Sequence, residues 1–151
     1  MIKEGSFERP DEITKGHLRL LHIKVKVEGL VINHILVDGG ATINLLLESM
    51  LPLFQKTIED FIKTNLAVIG FNGKLTTAPR MIPLRVKVGS VKRPTVFIVV
   101  PTKATFNILL GRDWIYSVGV IPLTLHQKLV LRDKDGRIEE IEADDSPCYV
   151  D

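Results

Sequence analysis

The sequence predicts an all-β fold, a mostly-β barrel or sandwich carrying one or two short helices. Three observations predict it. Apolar and polar residues alternate over short spans, Leu21, Ile23, Val25 and Val27 against His22, Lys24 and Lys26, and later Leu84, Val86 and Val88 against Arg85 and Lys87; a period of two marks half-buried strands. Turn pairs recur between such spans, at Glu28-Gly29, Asn72-Gly73, Gly89-Ser90 and Asp135-Gly136, the chemistry that joins antiparallel neighbours. Continuous apolar runs stop abruptly at Asp38, Pro101 and Gly111, as buried strands bounded by turns do.

Taken in order, residues 1–16 are polar and broken by Pro10, and read as a linker or N-terminal arm,. Residues 17–142 form the domain. Its first strand spans 19–27, and a second, more fully apolar, spans 30–37 and ends at Asp38. Residues 42–47 leave that turn as a strand, and 48–56 form a short helix with Ser49 as its cap. Residues 57–65 carry no clear pattern. Strands on either side of Asn72-Gly73 make a hairpin, and Pro79 and Pro83 hold the returning chain to an edge or make it irregular. Strands follow at 84–88, 95–100 and 106–110. A helix over 113–118 ends at Gly119, and strands at 124–131 and 137–141 flank Asp135-Gly136. Residues 143–151 form an acidic, loose tail.

Length and composition bound the function. A chain of 151 residues with 45% hydrophobic and 25% charged residues is an ordinary globular domain with room for one core,. Its net charge of +2, from 20 basic and 18 acidic residues, sets up no strong field, so neither nucleic acid nor membrane is expected as a direct partner. The single Cys148 excludes an intrachain disulfide and fits a reducing compartment,. No apolar run has the length of a membrane span, and the first residues lack a signal-type core. The expected location is cytoplasmic, as a free domain or a segment of a polyprotein.

Chemistry concentrates at Ile35-Leu36-Val37-Asp38-Gly39-Gly40-Ala41, where an apolar run delivers one carboxylate into a glycine turn and a second apolar run leaves it. Other candidates fall away. His17, His22, His34 and His126 lack metal-ligand spacing, and His126 is expected as a hydrogen-bonded structural residue. Asp133, Asp135 and Gly136 resemble the start of a calcium loop, but the later ligands do not follow. No Gly-x-Ser-x-Gly elbow exists, and Cys148 has no designated base. No metal and no cofactor are expected.

Three stretches in order resemble the retropepsins, the aspartic proteases of retroviruses and LTR retrotransposons: the Asp38 loop, Ile69-Gly70-Phe71-Asn72-Gly73, and Phe106-Asn107-Ile108-Leu109-Leu110-Gly111-Arg112-Asp113-Trp114. The last continues through Val118-Gly119-Val120-Ile121-Pro122 to Thr124-Leu125-His126-Gln127 and is similar to plant gypsy-type retrotransposon proteases in particular. The resemblance spans residues 18–131 and implies a retropepsin-like closed barrel. It implies Asp38 as the catalytic aspartate, Gly39, Gly40 and Ala41 as its loop, and Phe71, Asn72, Gly73 and Lys74 as a flap over the substrate. Arg112 would brace the site through an ion pair, and Asp113 would support it from the start of the helix.

The chemistry implied needs two carboxylates sharing one proton at about 3 Å, and the chain offers one such loop. A working enzyme is therefore expected to be a homodimer with one Asp38 from each chain, cutting extended peptides or a retrotransposon polyprotein. Gly39 stands where the family carries Thr or Ser, whose hydroxyl locks the two loops together. A second reading follows from that: a retropepsin-like module of weak or no activity that dimerises or binds peptides. A third is a phosphate-cradling glycine loop of the sugar-kinase and actin-like type, for which no second nucleotide motif is present.

Overall fold

The computed structural model describes residues 20–63, 67–69, 75–77, 79–101 and 106–144. In chain order the strands are β1 (Leu21–Val27), β2 (Leu30–Val37), β3 (Leu45–Leu47), β4 (Ala67–Ile69), β5 (Leu75–Thr77), β6 (Met81–Val88), β7 (Val91–Val100), β8 (Ile108–Leu110), β9 (Ile121–Leu123), β10 (Lys128–Arg132) and β11 (Ile138–Glu142). Among the described residues one α-helix, α1 (Arg112–Val118), lies between β8 and β9.

Six strands close a barrel in the order β1-β2-β8-β3-β7-β6, while β11-β10-β9 form a separate sheet and β4-β5 a two-stranded ladder. The alternation read from sequence is the reason. Leu21, Ile23, Val25 and Val27 of β1 and Ile82, Leu84, Val86 and Val88 of β6 all point into one core with Phe97, Val99, Ile108 and Leu110. Trp114 and Ile115 of α1 join it. The feature that positions the site is the place of β8. It runs parallel to β2 and antiparallel to β3, so two strands consecutive in the chain are separated in space by a third. The loop from Asp38 to Asn44 has to cross the end of β8.

Several elements differ from expectation. The strand foreseen at 42–47 is confined to Leu45–Leu47, because the backbone before it bonds to the start of α1 instead of a strand. The helix after it is a 3-10 turn, Glu48–Phe54, with Leu47 at its N-cap and no side-chain cap bond, so Ser49 lies inside and caps nothing. The patternless stretch contains a second 3-10 turn, Ile58–Asp60, closed by a reciprocal capping box between Thr57 and Asp60,. The strand foreseen at 124–131 begins only at Lys128, because 124–127 form the turn from β9 into β10, where Gln127 stands at φ 54° with its backbone and side-chain N–H groups both on Thr124 O at 3.2 and 2.8 Å. Pro83 sits inside β6, but β6 meets β1 only at Val86 and Lys87, so at Pro83 the strand has a partner on one side only and the missing N–H costs no ladder bond. Gly119 ends α1 at φ 81°. His126 is exposed, and no hydrogen bond holds it among the described residues.

Ala143 and Asp144, placed with the loose tail by sequence, are held to the body. Ala143 N–H donates to Gln127 O at 3.0 Å and Asp144 N–H to His22 O at 2.7 Å. A bulge in β2 opposite β1 puts His34 at φ 58°, and the amide this frees donates to the buried Asp144 Oδ2 at 2.9 Å. The His22 and His34 rings meet edge to face at 6.2 Å. Burial, then the nearby His34, push the His22 pKa below its ordinary 6.5, with Asp144 opposing. The unfolded chain therefore takes up this proton first as pH falls from 6.5, and the fold loses stability through that window. Thermal midpoints should decline between neutral pH and mild acid, and His22→Gln should flatten the decline. An unchanged slope in that variant would remove His22 from the account.

Candidate active site

The carboxylate is presented by hydrogen bonds of its own loop. β2 is buried through Ile35, Leu36 and Val37, and its parallel pairing carries Val37 beside Leu110. Asp38 N–H then donates to Leu110 O at 3.0 Å, which fixes where the chain leaves the barrel. Ala41 N–H returns to Asp38 O at 3.2 Å, and Gly40 N–H donates to Asp38 Oδ1 at 2.8 Å. Asp38 is half-buried, and Oδ2 has no partner among the described residues. Such a carboxylate is oriented without being consumed.

The two glycines are not equivalent. A Cβ on Gly40 would stand 3.2 Å from Asp38 Oδ1, whereas a Cβ on Gly39 would meet nothing within 4 Å. Gly39 is also absent from the residues with positive φ, so its backbone does not call for glycine.

Behind the loop, the start of α1 is stitched to it. Arg112 N–H donates to Ala41 O at 2.8 Å and Asp113 N–H to Thr42 O at 3.1 Å. Two amides that a helix start leaves unpaired are thus satisfied by the carbonyls of the Asp38 loop. The Arg112 guanidinium donates to Thr42 Oγ1 at 2.7 Å. Among the described residues this bond to a hydroxyl, a charged donor on a neutral acceptor, stands where an ion pair was expected. Asp113 accepts from Asn44 Nδ2 at 2.8 Å, which occupies it in support of the loop.

Asn44 escaped the sequence reading. It is 1% exposed, and both polar groups of its side chain are used: Oδ1 accepts from Gly111 N–H at 2.9 Å, and Nδ2 donates to Asp113 and to Val96 O at 3.1 Å. Its backbone O takes Ile98 N–H at 2.9 Å. One side chain therefore ties the loop to β8, α1 and β7. The available signal was a lone amide inside the apolar run Ile43 to Leu47. Gly111 completes the arrangement, since a Cβ there would lie 2.3 Å from Ile43 O and 2.8 Å from Ala41 O. The loop rests directly on its backbone.

Asp38, Gly40 and Ala41 are thus brought together with Arg112 and Asp113, and Gly39 stands at the exposed tip. The proposed flap residues Phe71, Asn72, Gly73 and Lys74 lie outside the described residues; the ladder leading to them pairs Ile69 with Leu75. Chemically, one carboxylate per chain can take or give one proton. A reaction that needs an acid and a base together requires a second such group.

The chain and its fold have counterparts among known proteins. The model of the retroviral aspartyl protease family matches residues 19–121. The fold is similar to the retroviral protease-like domain of Ddi1 from Leishmania major, with TM-score 0.59 at 14% identity over 85% of this chain and 96% of that one. Weaker likenesses are to the EIAV protease in complex with the inhibitor HBY-793, TM-score 0.47 at 17% identity over 67% and 89%, and to Lpg0085 from Legionella pneumophila, TM-score 0.43 at 17% identity over 64% and 84%. No curated protein matches the chain.

Proposed function

As the chain belongs to the retroviral aspartyl protease family, we propose that it is an aspartic endopeptidase working as a homodimer, with one Asp38 from each chain. The observation that carries this reading is the Asp38 loop itself: a carboxylate oriented by Gly40 N–H and backed by Asn44, Gly111 and Arg112, present once per chain. Two such loops facing across a twofold axis would place two carboxyls in contact with one proton between them. The ionised one would take a proton from water as that water attacks the peptide carbonyl carbon, and the protonated one would give its proton to the carbonyl oxygen. Collapse would then pass a proton to the leaving amine. The substrate would be an extended peptide bound by strand-type hydrogen bonds beneath the hairpin that carries Phe71 to Lys74. The motif string of the third stretch makes a retrotransposon polyprotein the natural substrate.

Sizing of the pure protein together with a peptide-cleavage assay across about pH 4 to 7 tests the reading, since a carboxylate pair is singly protonated in mild acid. A monomer that cleaves, or activity that keeps rising into alkali, would overturn it. A dimer without turnover would favour the second reading, a dimerisation or peptide-binding module, for which Gly39 is the specific observation.

Gly39 itself can be tested. Space around it is open and its φ is not positive, so Gly39→Thr introduces a side chain without a clash. If the missing hydroxyl weakens the coupling of two loops, its return adds one contact per chain at about 0.5–1.5 kcal/mol each. Loss of glycine also lowers the entropy of the unfolded chain. Dimerisation should tighten by about tenfold. Sedimentation of both proteins over a dilution series would show it; equal dimer constants would mark the Gly-Gly loop as an adapted variant.

A further inference from the structure

The near-neutral net charge conceals a segregation that only the strand register exposes. On the outer face of the barrel, Lys26 of β1 stands directly opposite Lys87 of β6, and Lys87 stands directly opposite Lys92 of β7. Three lysines thus form one row across three adjacent strands. Lys24 lies two residues along β1 and Arg85 two residues along β6, on the same face, and all five are exposed. Like charges directly opposite one another on a sheet are destabilising, and the two nearby carboxylates, Glu28 in the wall of the same face and Glu139, are bonded to other groups. Glu28 is occupied by Lys56 at 3.7 Å and by Arg85 N–H at 2.7 Å. Glu139, near the β6–β7 turn, takes Ser90 N–H at 3.2 Å. Among the described residues no salt bridge reaches any of the five. Two adjoining hollows of about 320 Å³ each open on this face and share Lys26 and Lys87 in their walls.

We propose that the outer face of β1, β6 and β7 binds the phosphate backbone of nucleic acid without reading its sequence. The side chains define the ligand. Cations repeat at about 6.6 Å along a strand and about 4.8 Å between strands, a grid suited to a chain of closely spaced anions. Four of the five are lysines, which meet phosphate oxygens as point charges without the planar fork that grips one base edge or carboxylate. The row carries no aromatic ring for stacking and no amide to read a base. A membrane fits less well, since Val31 is the one exposed apolar side chain lining these hollows and offers little to insert. The surface is separate from the Asp38 loop, so binding does not depend on cleavage.

Anisotropy with a fluorescein-labelled duplex of arbitrary sequence and about 20 base pairs tests this, in salt from about 50 to 200 mM. The expected result is micromolar binding at the low end, with log K falling against log salt at a slope of about −3 to −4 for the phosphates contacted. The Lys26→Gln, Lys87→Gln double variant should lower the slope by about 2 and weaken binding by about tenfold. Removing the repulsion should leave its thermal midpoint equal or higher, so a failure to bind cannot be assigned to misfolding. Lys63→Gln, at the opposite end of β6 where the neighbouring Ile62 N–H donates to Met81 O, should change nothing. No binding at low salt, binding indifferent to the double substitution, or capture only by phosphatidylserine vesicles would each overturn the proposal.

Discussion

Asp38→Asn protein is expected to fold and pair as the parent does and to lose cleavage by about 10⁴-fold or more, since one substitution removes the base and the acid together. The structural half of this expectation follows from the loop. Gly40 N–H donates to Asp38 Oδ1 at 2.8 Å, and the amide oxygen of asparagine can accept the same bond in the same place. The Asp38 backbone bonds to Leu110 and Ala41 do not involve the side chain at all. Only proton exchange is lost. A mixing experiment separates a shared pair from two independent aspartates. Random exchange of equal amounts of parent and variant leaves about a quarter of the dimers with two aspartates. Activity should fall to about a quarter if the pair acts as one unit, and to about half if each chain works alone. Turnover in the pure variant would end the assignment.

Local chemistry was legible in the sequence, and long-range closure was not. The β1 alternation, the Glu28-Gly29 turn, the Asp38 turn and the end of α1 at Gly119 each depend on neighbours within a few residues, so pattern and turn propensity suffice. Asn44 was missed for the opposite reason. Its partners Gly111 and Asp113 lie 67 and 69 residues away, and nothing nearby shows that an amide within an apolar run is fully paired. The shortened β3 has the same origin: Ala41 and Thr42 give their carbonyls to α1, a choice made by tertiary contact against strand propensity. Arg112 was placed correctly beside the loop, but its acceptor was assumed to be an acid, whereas residue 42 supplies a hydroxyl. The lysine row belongs to the same class. Each lysine alone reads as the polar half of an alternation, and only register sets them side by side.

The largest loss of stability is expected from Gly111→Ala. The residue sits at φ −95° and ψ −164°, a conformation open to any amino acid, so backbone freedom is not what glycine supplies here. Space is. An added Cβ would lie 2.3 Å from Ile43 O, 2.8 Å from Ala41 O and 3.0 Å from Ile43 C. All three are backbone atoms, which cannot rotate aside as the end of a side chain could. The loop must lift, and its bonds lift with it: Ala41 O from Arg112 N–H, and Asn44 Oδ1 from Gly111 N–H. Overpacking alone costs about 1–3 kcal/mol, and leaving the buried Asn44 unpaired adds about 1–3 kcal/mol. A sum near 4 kcal/mol is a large share of the stability of a domain this size and would lower the melting midpoint by about 10 °C. Gly39→Ala is the matched control, because the same methyl group there meets nothing within 4 Å and should leave the midpoint within a degree or two of the parent. Since the carboxylate rides on the lifted loop, Gly111→Ala should also impair cleavage below its melting range with Asp38 untouched. Equal urea midpoints for the two alanine variants would mean that the loop does not rest on Gly111, and the mounting of Asp38 would then need another explanation.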